Sequence, residues 1–247
     1  MGSSPGLFAL VTGSGKRLGR EMAIYLAGRG FHVALHYNHS KAEVKQLLAY
    51  LEDTHPDQKF IAVQRDLEDW TTSSELLSLL PNEFGPINLL INNASVFEHA
   101  QIMETECDLL QRQFSVNFFT PFVLTRSFAT KVKAGHVVNI VDTKIATNET
   151  THAAYLLSKK ALGELTRMAA MELAPAFRIN AIAPGPVLPA TGSNDSHFQK
   201  VVEQTPLRER VLVESILSAL GFLMDNPNVT GQIIYVDSGS HLKGGST

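Results

Sequence analysis

The sequence of 247 residues is poor in the features that mark secreted and membrane proteins. It contains a single cysteine, Cys107, so it cannot form an internal disulfide, and we expect a reducing compartment. No apolar run approaches the roughly 18 residues that a membrane-spanning helix needs. No basic segment precedes the short apolar stretch at residues 7–11, so no signal peptide is predicted. These absences predict a soluble, cytoplasmic protein.

The chain also lacks an excess of positive charge. Its 21 lysines and arginines are outnumbered by 24 aspartates and glutamates, which gives a net charge of −3. A surface that binds nucleic acid or an anionic membrane needs a basic excess, so neither partner is expected. The histidines show no metal-ligand spacing, and no metal site is predicted. With 44% apolar residues, the chain can bury a large core without metals or disulfides.

Short β-rich runs alternate with longer helical patterns along the whole chain. The predicted strands cover residues 7–11, 31–37, 60–63, 87–91, 136–141, 178–183 and 232–236. The predicted helices cover residues 18–28, 40–53, 71–80, 104–132, 152–173 and 211–224. This order predicts one α/β domain over residues 1–247, with a doubly wound parallel sheet of about seven strands and helices on both faces. In such sheets ligands bind outside the carboxyl ends of the strands.

A glycine-rich turn, residues 12–19, follows the first predicted strand and opens the first helix. Glycines permit a tight turn, and the free amides of a helix N-terminus attract an anion, so the turn predicts a phosphate cradle. Two common patterns fail, because Arg17 stands where a P-loop needs Ser or Thr, and Gly15 and Gly19 are one residue too far apart for G-x-G-x-x-G. The alternative is an ordinary strand–helix turn with a solubilising Lys-Arg pair.

The end of the second strand carries no acid. A site for NAD usually places an acid there to bind the ribose 2′-hydroxyl, but the first acid here is Glu43. Donors at His36, His39 and Ser40, with Arg17 nearby, would instead hold a 2′-phosphate, which favours NADP. The alternative is that the two histidines are exposed loop residues.

Three titratable side chains follow the predicted fourth and fifth strands in an order that suits proton transfer. Tyr155 and Lys159 are four residues apart on one predicted helix face, and a nearby cation is expected to lower the phenol's pKa toward neutrality. Asp142 ends the fifth strand, 13 residues before the tyrosine. Asn117 lies among apolar residues, where it is either a satisfied buried amide or an anchor behind the lysine. Spacing alone leaves the ordinary readings open, which include a loop-capping role for Asp142.

Taken together, these residues resemble the short-chain dehydrogenase/reductase family over essentially the whole chain. The marks are Thr12-Gly13 and Gly19, Asp66, Asn92-Asn93-Ala94, Asn117, Tyr155-x-x-x-Lys159 and Pro184-Gly185, in the order of that family. The resemblance implies a dinucleotide cofactor and hydride transfer, with the tyrosine as acid or base. Most members carry Ser where this chain has Asp142.

Within that family the sequence resembles the pteridine reductases, which include dihydromonapterin reductases. They share Asp at position 142, the Lys16-Arg17-Leu18-Gly19 turn, and a His-Tyr-x-x-Ser segment, here His36 to Ser40. They also share Ser-x-Phe after Asn-Asn-Ala, here Ser95-Val96-Phe97. The ending at residues 236–242 is similar too, with Ser238 where Gly is usual. The subfamily thus implies NADPH-dependent reduction of a dihydropteridine by a homotetramer.

The resemblance assigns a role to each candidate residue. The implied catalytic residues are Asp142, Tyr155, Lys159 and Asn117. The implied cofactor-binding residues are Gly13, Lys16, Arg17, Leu18, Gly19, His36, Tyr37, Asn38, His39, Ser40, Asp66, Leu67, Asn93, Ala94, Ser95, Tyr155, Lys159, Pro184 and Gly185. The implied substrate-binding residues are Ser95, Phe97, Asp142, Tyr155, Pro186, Val187 and Leu188, beside a substrate loop around residues 184–205.

The predicted activity is therefore reduction of dihydrobiopterin, dihydromonapterin or dihydrofolate by NADPH. Tyr155 is the expected proton donor, assisted by Asp142 and by Lys159, which holds the nicotinamide ribose and lowers the tyrosine's pKa. One alternative is a short-chain reductase of a small ketone or a 3-oxoacyl thioester. Another is a noncatalytic NADP(H)-binding sensor or scaffold.

Overall fold

The computed structural model describes residues 6–188 and 195–243. Its centre is one sheet of seven parallel strands in the order β3-β2-β1-β4-β5-β6-β7. The strands are β1 Phe8–Val11, β2 His32–Tyr37, β3 Phe60–Gln64, β4 Leu89–Asn92, β5 Gly135–Ile140, β6 Phe177–Pro184 and β7 Ile233–Val236. The strand order reverses between β1 and β4, and this switch point is where ligands bind in doubly wound sheets.

Seven α-helices cover the sheet in the described part of the chain. They are α1 Arg17–Gly28, α2 Lys41–Thr54, α3 Cys107–Phe114, α4 Thr120–Lys131, α5 Ala153–Glu172, α6 Asp195–Glu203 and α7 Val213–Asp225. No helix among the described residues is long and apolar enough to cross a membrane. The described ranges also hold no group of three or more His, Cys, Asp or Glu side chains arranged for a metal ion.

Each face of the sheet has its own apolar core, because successive strand residues point to opposite faces. In β1, Leu10 belongs to the cluster under α4 and α5, with Phe128 and Leu162. Its neighbours Ala9 and Val11 belong to the cluster under α1, α2 and α7. The predicted doubly wound sheet of about seven strands with helices on both faces is confirmed.

Three predicted elements differ in detail. Residues 71–80, predicted as a helix, form only a 3₁₀-helix at Ser73–Ser78. The predicted helix 104–132 starts later, at Cys107, and changes to a π-helical turn at Ser115–Phe119 before α4. The predicted loop 184–205 contains α6. The sequence gives only a weak helical signal there, because the apolar repeat consists of Phe198 and Val202 alone and follows several prolines and glycines. Residues 189–194 of that segment lie outside the described residues.

Candidate functional site

The turn between β1 and α1 has no room for side chains at two of its glycines. Gly13 has a φ of +65°, and a Cβ there would lie 3.0 Å from Cα of Ala94. A Cβ on Gly19 would overlap the carbonyl oxygen of Gly13 and approach Nδ2 of Asn93 to 2.6 Å. The first N–H groups of α1 have no partner within the helix, and its dipole favours an anion there. The residues present therefore fit the pyrophosphate of a dinucleotide.

Hydrogen bonds between Thr12 and Asn93 join this turn to the end of β4. Oγ1 of Thr12 accepts from the backbone N–H of Asn93 at 2.9 Å and of Ala94 at 3.0 Å. Nδ2 of Asn93 donates to the carbonyl oxygen of Thr12 at 2.8 Å. The two strand ends at the switch point are thus held at fixed separation, and the predicted Gly13, Gly19, Asn93 and Ala94 lie together.

His36 does not offer a donor to a 2′-phosphate, contrary to the prediction. Its side chain is buried, Nδ1 accepts the backbone N–H of Gly13 at 3.1 Å, and Nε2 lies 3.0 Å from the carbonyl oxygen of Arg65. One neutral tautomer, protonated on Nε2, satisfies both contacts. Burial lowers the pKa of His36 to about 4, which keeps the ring neutral. The imidazole therefore stabilises the conformation of the glycine turn through its hydrogen bond to Gly13.

The other predicted donors lie around the outside of the turn. A Cβ on Gly15 would overlap Oγ of Ser40, so the serine hydroxyl lies directly against the turn. Arg17 is exposed, has a φ of +52°, and donates to the carbonyl oxygen of Leu188 at 3.3 Å. Nζ of Lys16 pairs with Glu43 at 2.7 Å, which neutralises the first acid after β2. His39 is exposed.

The remaining predicted cofactor residues border the same edge of the sheet. Asn38 follows β2, and its carbonyl oxygen accepts from Gln64 at 3.3 Å. Asp66 follows β3, is exposed, and caps its own turn by accepting the N–H of Glu68 at 3.0 Å. Leu67 is buried. Further residues of this group are Tyr37 at the end of β2, Leu18 in α1, and Pro184 and Gly185 at the end of β6.

Tyr155 and Asp142 are hydrogen bonded to each other. The Tyr155 hydroxyl donates to Oδ2 of Asp142 at 2.7 Å, and the backbone N–H of Lys144 donates to Oδ1 at 2.8 Å. Asp142 thus also caps the 3₁₀-helix Thr143–Ala146. Burial raises the pKa of the carboxyl, against the opposing pull of these donors and of Lys159. Burial, reinforced by the Asp142 charge, raises the pKa of Tyr155 well above its usual value.

Lys159 is buried near the Tyr155 ring and hydrogen bonds to the end of β5. Its side chain is 2% exposed, Nζ donates to the carbonyl oxygen of Ile140 at 2.8 Å, and Nζ is 5.9 Å from the centre of the Tyr155 ring. Burial lowers the pKa of Lys159 to about 8. The prediction that Lys159 lowers the pKa of Tyr155 is wrong in this structure, because burial and the carboxylate dominate.

Asn117 lies in the π-helical turn and ties the loop after β4 to α5. Its Oδ1 accepts from Oγ of Ser95 at 2.9 Å and from the N–H of Val96 at 3.0 Å, and its Nδ2 donates to Oγ of Ser158 at 3.1 Å. Its side chain shows no hydrogen bond to Lys159 within the described ranges. Asn117 is thus a satisfied buried amide that positions the loop beside Tyr155 and Asp142.

Phe97 stands on that loop next to Tyr155. Its ring meets the Tyr155 ring edge to face, 4.7 Å between centres, and is 45% exposed. Across the site, Pro186 accepts the N–H of Val211 at 3.0 Å, Val187 packs partly buried against the core, and Leu188 is exposed.

Sequence reasoning missed two groups of residues near Tyr155 and Asp142. His152 stacks on Phe97, and its place just before a strong helix, three residues ahead of Tyr155, is a signal that points to it. The buried Asp237 accepts from the hydroxyl of Thr143, and from His241 at 2.9 Å, and so joins the end of the chain to the residue after Asp142. No sequence signal suggests that contact. Ser238, where the resembled subfamily has Gly, has a φ of +53°.

Comparison with solved structures finds very similar folds. The FolM alternative dihydrofolate reductase 1 of Brucella canis, complexed with NADP, gives a TM-score of 0.91 and 34% identity over 96% of this chain and 94% of that one. The corresponding enzyme of Brucella suis, also with NADP, gives the same score and identity over 96% of each chain.

Sequence comparison finds reductases of other substrates. The L-xylulose reductase of Mesocricetus auratus is 30% identical over 94% of this chain and 95% of its own length. Carbonyl reductase [NADPH] 2 of Sus scrofa is 30% identical over 95% of this chain and 96% of its own. The family model described as short chain dehydrogenase matches residues 7–200. The chain therefore belongs to the short-chain dehydrogenase family.

Proposed function

We propose that this chain is a cytoplasmic, NADPH-dependent reductase that converts a dihydropteridine to its tetrahydro form. The substrate class covers dihydrobiopterin, dihydromonapterin and dihydrofolate. The observation that carries the proposal is the hydrogen bond between Tyr155 and the carboxyl of Asp142. Reduction of an imine needs one proton at nitrogen, and a carboxyl at this place is a second titratable group that can resupply that proton to the tyrosine. The names of the two Brucella structures, alternative dihydrofolate reductases, support the same substrate class.

NADPH, when bound, supplies the hydride. The turn at Gly13 to Gly19 and the start of α1 would hold its pyrophosphate. Ser40, His39 and Arg17 would hold the 2′-phosphate, while His36 keeps the turn in shape. Lys159 would hold the nicotinamide ribose. The NADP and NADPH named with the similar structures support this cofactor.

The catalytic pair supplies the proton. Reduction of a C=N bond places a hydride on carbon and a proton on nitrogen, and Tyr155 donates that proton. While Asp142 is ionised, the Tyr155 hydroxyl donates to the carboxylate instead. When Asp142 is protonated, its own O–H donates to the tyrosine oxygen, and the phenol proton is free for the substrate. Burial raises the pKa of Asp142 and so favours the competent state.

The substrate would lie between the catalytic pair and an apolar rim. Ser95 and Phe97 come from the loop after β4, and Pro186, Val187 and Leu188 come from the segment after β6. The hydrogen bond from Arg17 to Leu188 brings the cofactor turn against this segment. In this proposal residues 184–205, which include α6, border the substrate within a single NADP-binding domain.

The same proposal includes assembly with further copies of the chain into a homotetramer. α5 carries large apolar side chains on its outer face, where Leu157, Met168 and Met171 are exposed. Large exposed apolar side chains grouped on one helix favour a protein interface. Sedimentation equilibrium of the purified protein measures the mass directly, and a monomer at micromolar concentration would contradict this part.

The test follows the loss of NADPH absorbance with dihydrobiopterin, dihydromonapterin, dihydrofolate, L-xylulose and a 3-oxoacyl thioester, repeated with NADH. We expect turnover of at least one pteridine and a preference for NADPH. A second candidate, reduction of a small ketone, is favoured by the L-xylulose and carbonyl reductases among the relatives. Turnover of L-xylulose or the thioester alone would select that candidate. Binding of NADPH without any turnover would instead select a noncatalytic sensor.

A further inference from the structure

A pair of stacked rings lies at the edge of the proposed substrate site, and the proposed reaction gives one of them no role. His152, directly before α5, is nearly parallel to Phe97, with 14° between the planes and 4.2 Å between the ring centres. Tyr155 touches the same phenyl ring edge to face. The imidazole thus covers one face of Phe97, and Nζ of Lys144 lies 5.9 Å from the centre of the same ring. A planar ligand that stacks on Phe97 would use the face that the imidazole leaves uncovered.

The two loops that carry these rings are joined through their backbones. The N–H of Ala153 donates to the carbonyl oxygen of Ala100 at 3.0 Å, and Ala100 pairs with His152 as an isolated parallel bridge. His152 is itself one residue of this bridge, and Phe97 lies three residues before the other, Ala100. His152 is therefore held against the loop of Phe97 rather than left as a free loop residue.

A chain of polar contacts fixes the rotation of the imidazole ring. The Thr151 hydroxyl donates to Oε1 of Glu149 at 2.6 Å, and Oε2 of Glu149 pairs with Nζ of Lys144 at 2.8 Å. A hydroxyl has only one proton, so its oxygen accepts from Nδ1 of His152, 2.9 Å away. The ring proton is thereby assigned to Nδ1. The imidazole is hydrogen bonded through Nδ1 to this series of polar contacts, and one of its faces stacks on Phe97.

We propose that His152 is a positioning residue that holds the Phe97 ring in place as one wall of the substrate site. The inference rests on the proposed function, because that function assigns Phe97 to the substrate. Phe97 is 45% exposed on a loop, so without its neighbour the ring would sample several rotamers. A ring that is already ordered loses less conformational entropy when a planar substrate stacks on it. His152 should therefore strengthen substrate binding and leave the chemical step unchanged.

Two substitutions separate stacking from the other properties of His152. His152→Ala removes the stacked ring, whereas His152→Phe keeps a stacked ring and loses only the bond to Thr151. For His152→Ala we expect KM for the dihydropteridine to rise about tenfold, since ordering one side chain on binding has about that effect. In the same variant, kcat and the Kd of NADPH should stay within about twofold of the wild type. His152→Phe should recover most of the loss.

His99→Ala is the matched control, because His99 is a second histidine of the same edge whose ring meets His152 only edge-on at 5.2 Å. Its KM should stay within about twofold of the wild type. A fall in kcat at unchanged KM in His152→Ala, or no rescue by His152→Phe, would overturn the proposal.

A structural readout keeps this inference separate from the proposed function. Crystal structures of the wild type and of His152→Ala, both with NADP, should show Phe97 ordered in the first and reoriented or spread over several rotamers in the second. An unchanged Phe97 in the variant overturns the inference. A wild type that turns over no pteridine contradicts the proposed function instead, and the two crystal structures still decide what His152 does.

Discussion

The turn after β1 and the catalytic pair between β5 and α5 lie at the same edge of the sheet, but they are built in opposite ways. In the turn, several polar atoms are satisfied by the protein itself, as in the hydrogen bonds from Nδ2 of Asn93 to the Thr12 carbonyl oxygen and from the Gly13 N–H to His36. In the proposed catalytic site, Tyr155, Asp142 and Lys159 are titratable groups withdrawn from water. The first region maintains the conformation of the turn, and the second contains proton-carrying groups whose pKa values are shifted by burial.

Burial therefore has different consequences for the two buried bases of the site. It lowers the pKa of His36 to about 4, so the imidazole is neutral at physiological pH and serves as a structural hydrogen-bonding group. It lowers the pKa of Lys159 from 10.5 to about 8, against the opposing Asp142 charge, and the value stays high because a lysine starts from a much higher pKa than a histidine. Lys159 thus remains a cation at neutral pH, and substitutions in the two regions should fail in different ways.

The largest expected effect is on catalysis at Tyr155. Tyr155→Phe keeps the ring and removes the proton donor, so we expect kcat for the dihydropteridine to fall by about 10²–10⁴. The Kd of NADPH, measured by fluorescence titration, should stay within about twofold. Tyr50→Phe, an exposed tyrosine on α2, is the matched control and should be indistinguishable from the wild type. Normal turnover in Tyr155→Phe would remove the tyrosine from the mechanism.

The second prediction concerns the pH dependence of the catalytic pair. If the protonated carboxyl of Asp142 frees the tyrosine proton, kcat/KM should be constant at low pH. It should then fall about tenfold per pH unit above the raised pKa of that carboxyl. Asp142→Asn should lose this dependence and most of the activity, because an amide cannot resupply the proton. A wild-type rate that increases with pH in this range would show that the carboxylate, not the acid, is the competent form.

The turn is tested by two glycines of the same helix. A Cβ at Gly19 would overlap the carbonyl oxygen of Gly13, so we expect Gly19→Ala to destabilise the turn by about 1–3 kcal/mol and to weaken NADPH binding at least about tenfold. Gly28, at the end of α1, has no atom within 4 Å of the corresponding position. Gly28→Ala should stabilise the protein by up to about 1 kcal/mol without changing NADPH binding. Equal effects of the two substitutions would contradict the steric explanation.

The apolar pattern of the sequence predicts all seven strands, because central strands such as β1 and β4 are buried along their whole length and read as continuous apolar runs. The edge strands β3 and β7 are less buried but keep an apolar run. The type of helix is harder to predict from the sequence. The change from α-helix to π-helix at Ser115–Phe119 depends on the hydrogen bonds of Asn117 with Ser95 and Ser158. Such contacts join residues far apart in sequence. The 3₁₀-helix at Ser73–Ser78 has the apolar spacing of an α-helix, and only tertiary packing distinguishes the two.

Residue spacing in the sequence does not predict the electrostatics of the site either. Tyr155 and Lys159 lie on one helix, as predicted, but the sequence does not reveal that the Lys159 amine reaches the Ile140 carbonyl rather than the phenol oxygen. For His36, the histidine itself suggests a phosphate ligand. Only the fold shows that both its ring nitrogens already have partners.

Lys159 offers a thermodynamic test of the buried charge. The folded protein holds this proton up to a pKa of about 8, whereas an unfolded lysine holds it to about 10.5. The unfolded state therefore binds more protons between these values, and the free energy of unfolding should rise with pH there. From pH 8 to 9.5 the wild type should gain about 2 kcal/mol relative to Lys159→Met, measured by urea denaturation. Lys160→Met, one position along α5 and partly exposed, should follow the wild-type profile. A parallel profile for Lys159→Met would contradict burial of a charged lysine.

The smallest expected effect distinguishes a residue that maintains the conformation of the turn from one that binds the 2′-phosphate. His36→Leu removes the hydrogen bond to the N–H of Gly13 and leaves that group without its partner, which costs about 1–3 kcal/mol. Because His36 acts on the turn and not on the phosphate, affinity for NADPH and for NADH should fall together, and their ratio should change less than about twofold. Arg17→Ala removes an exposed guanidinium beside the turn. It should lower the ratio of NADPH affinity to NADH affinity by weakening NADPH binding alone. If His36→Leu lowers the ratio as much as Arg17→Ala does, the imidazole touches the phosphate after all, and the cofactor must then displace one of the two bonds that hold the ring in this structure.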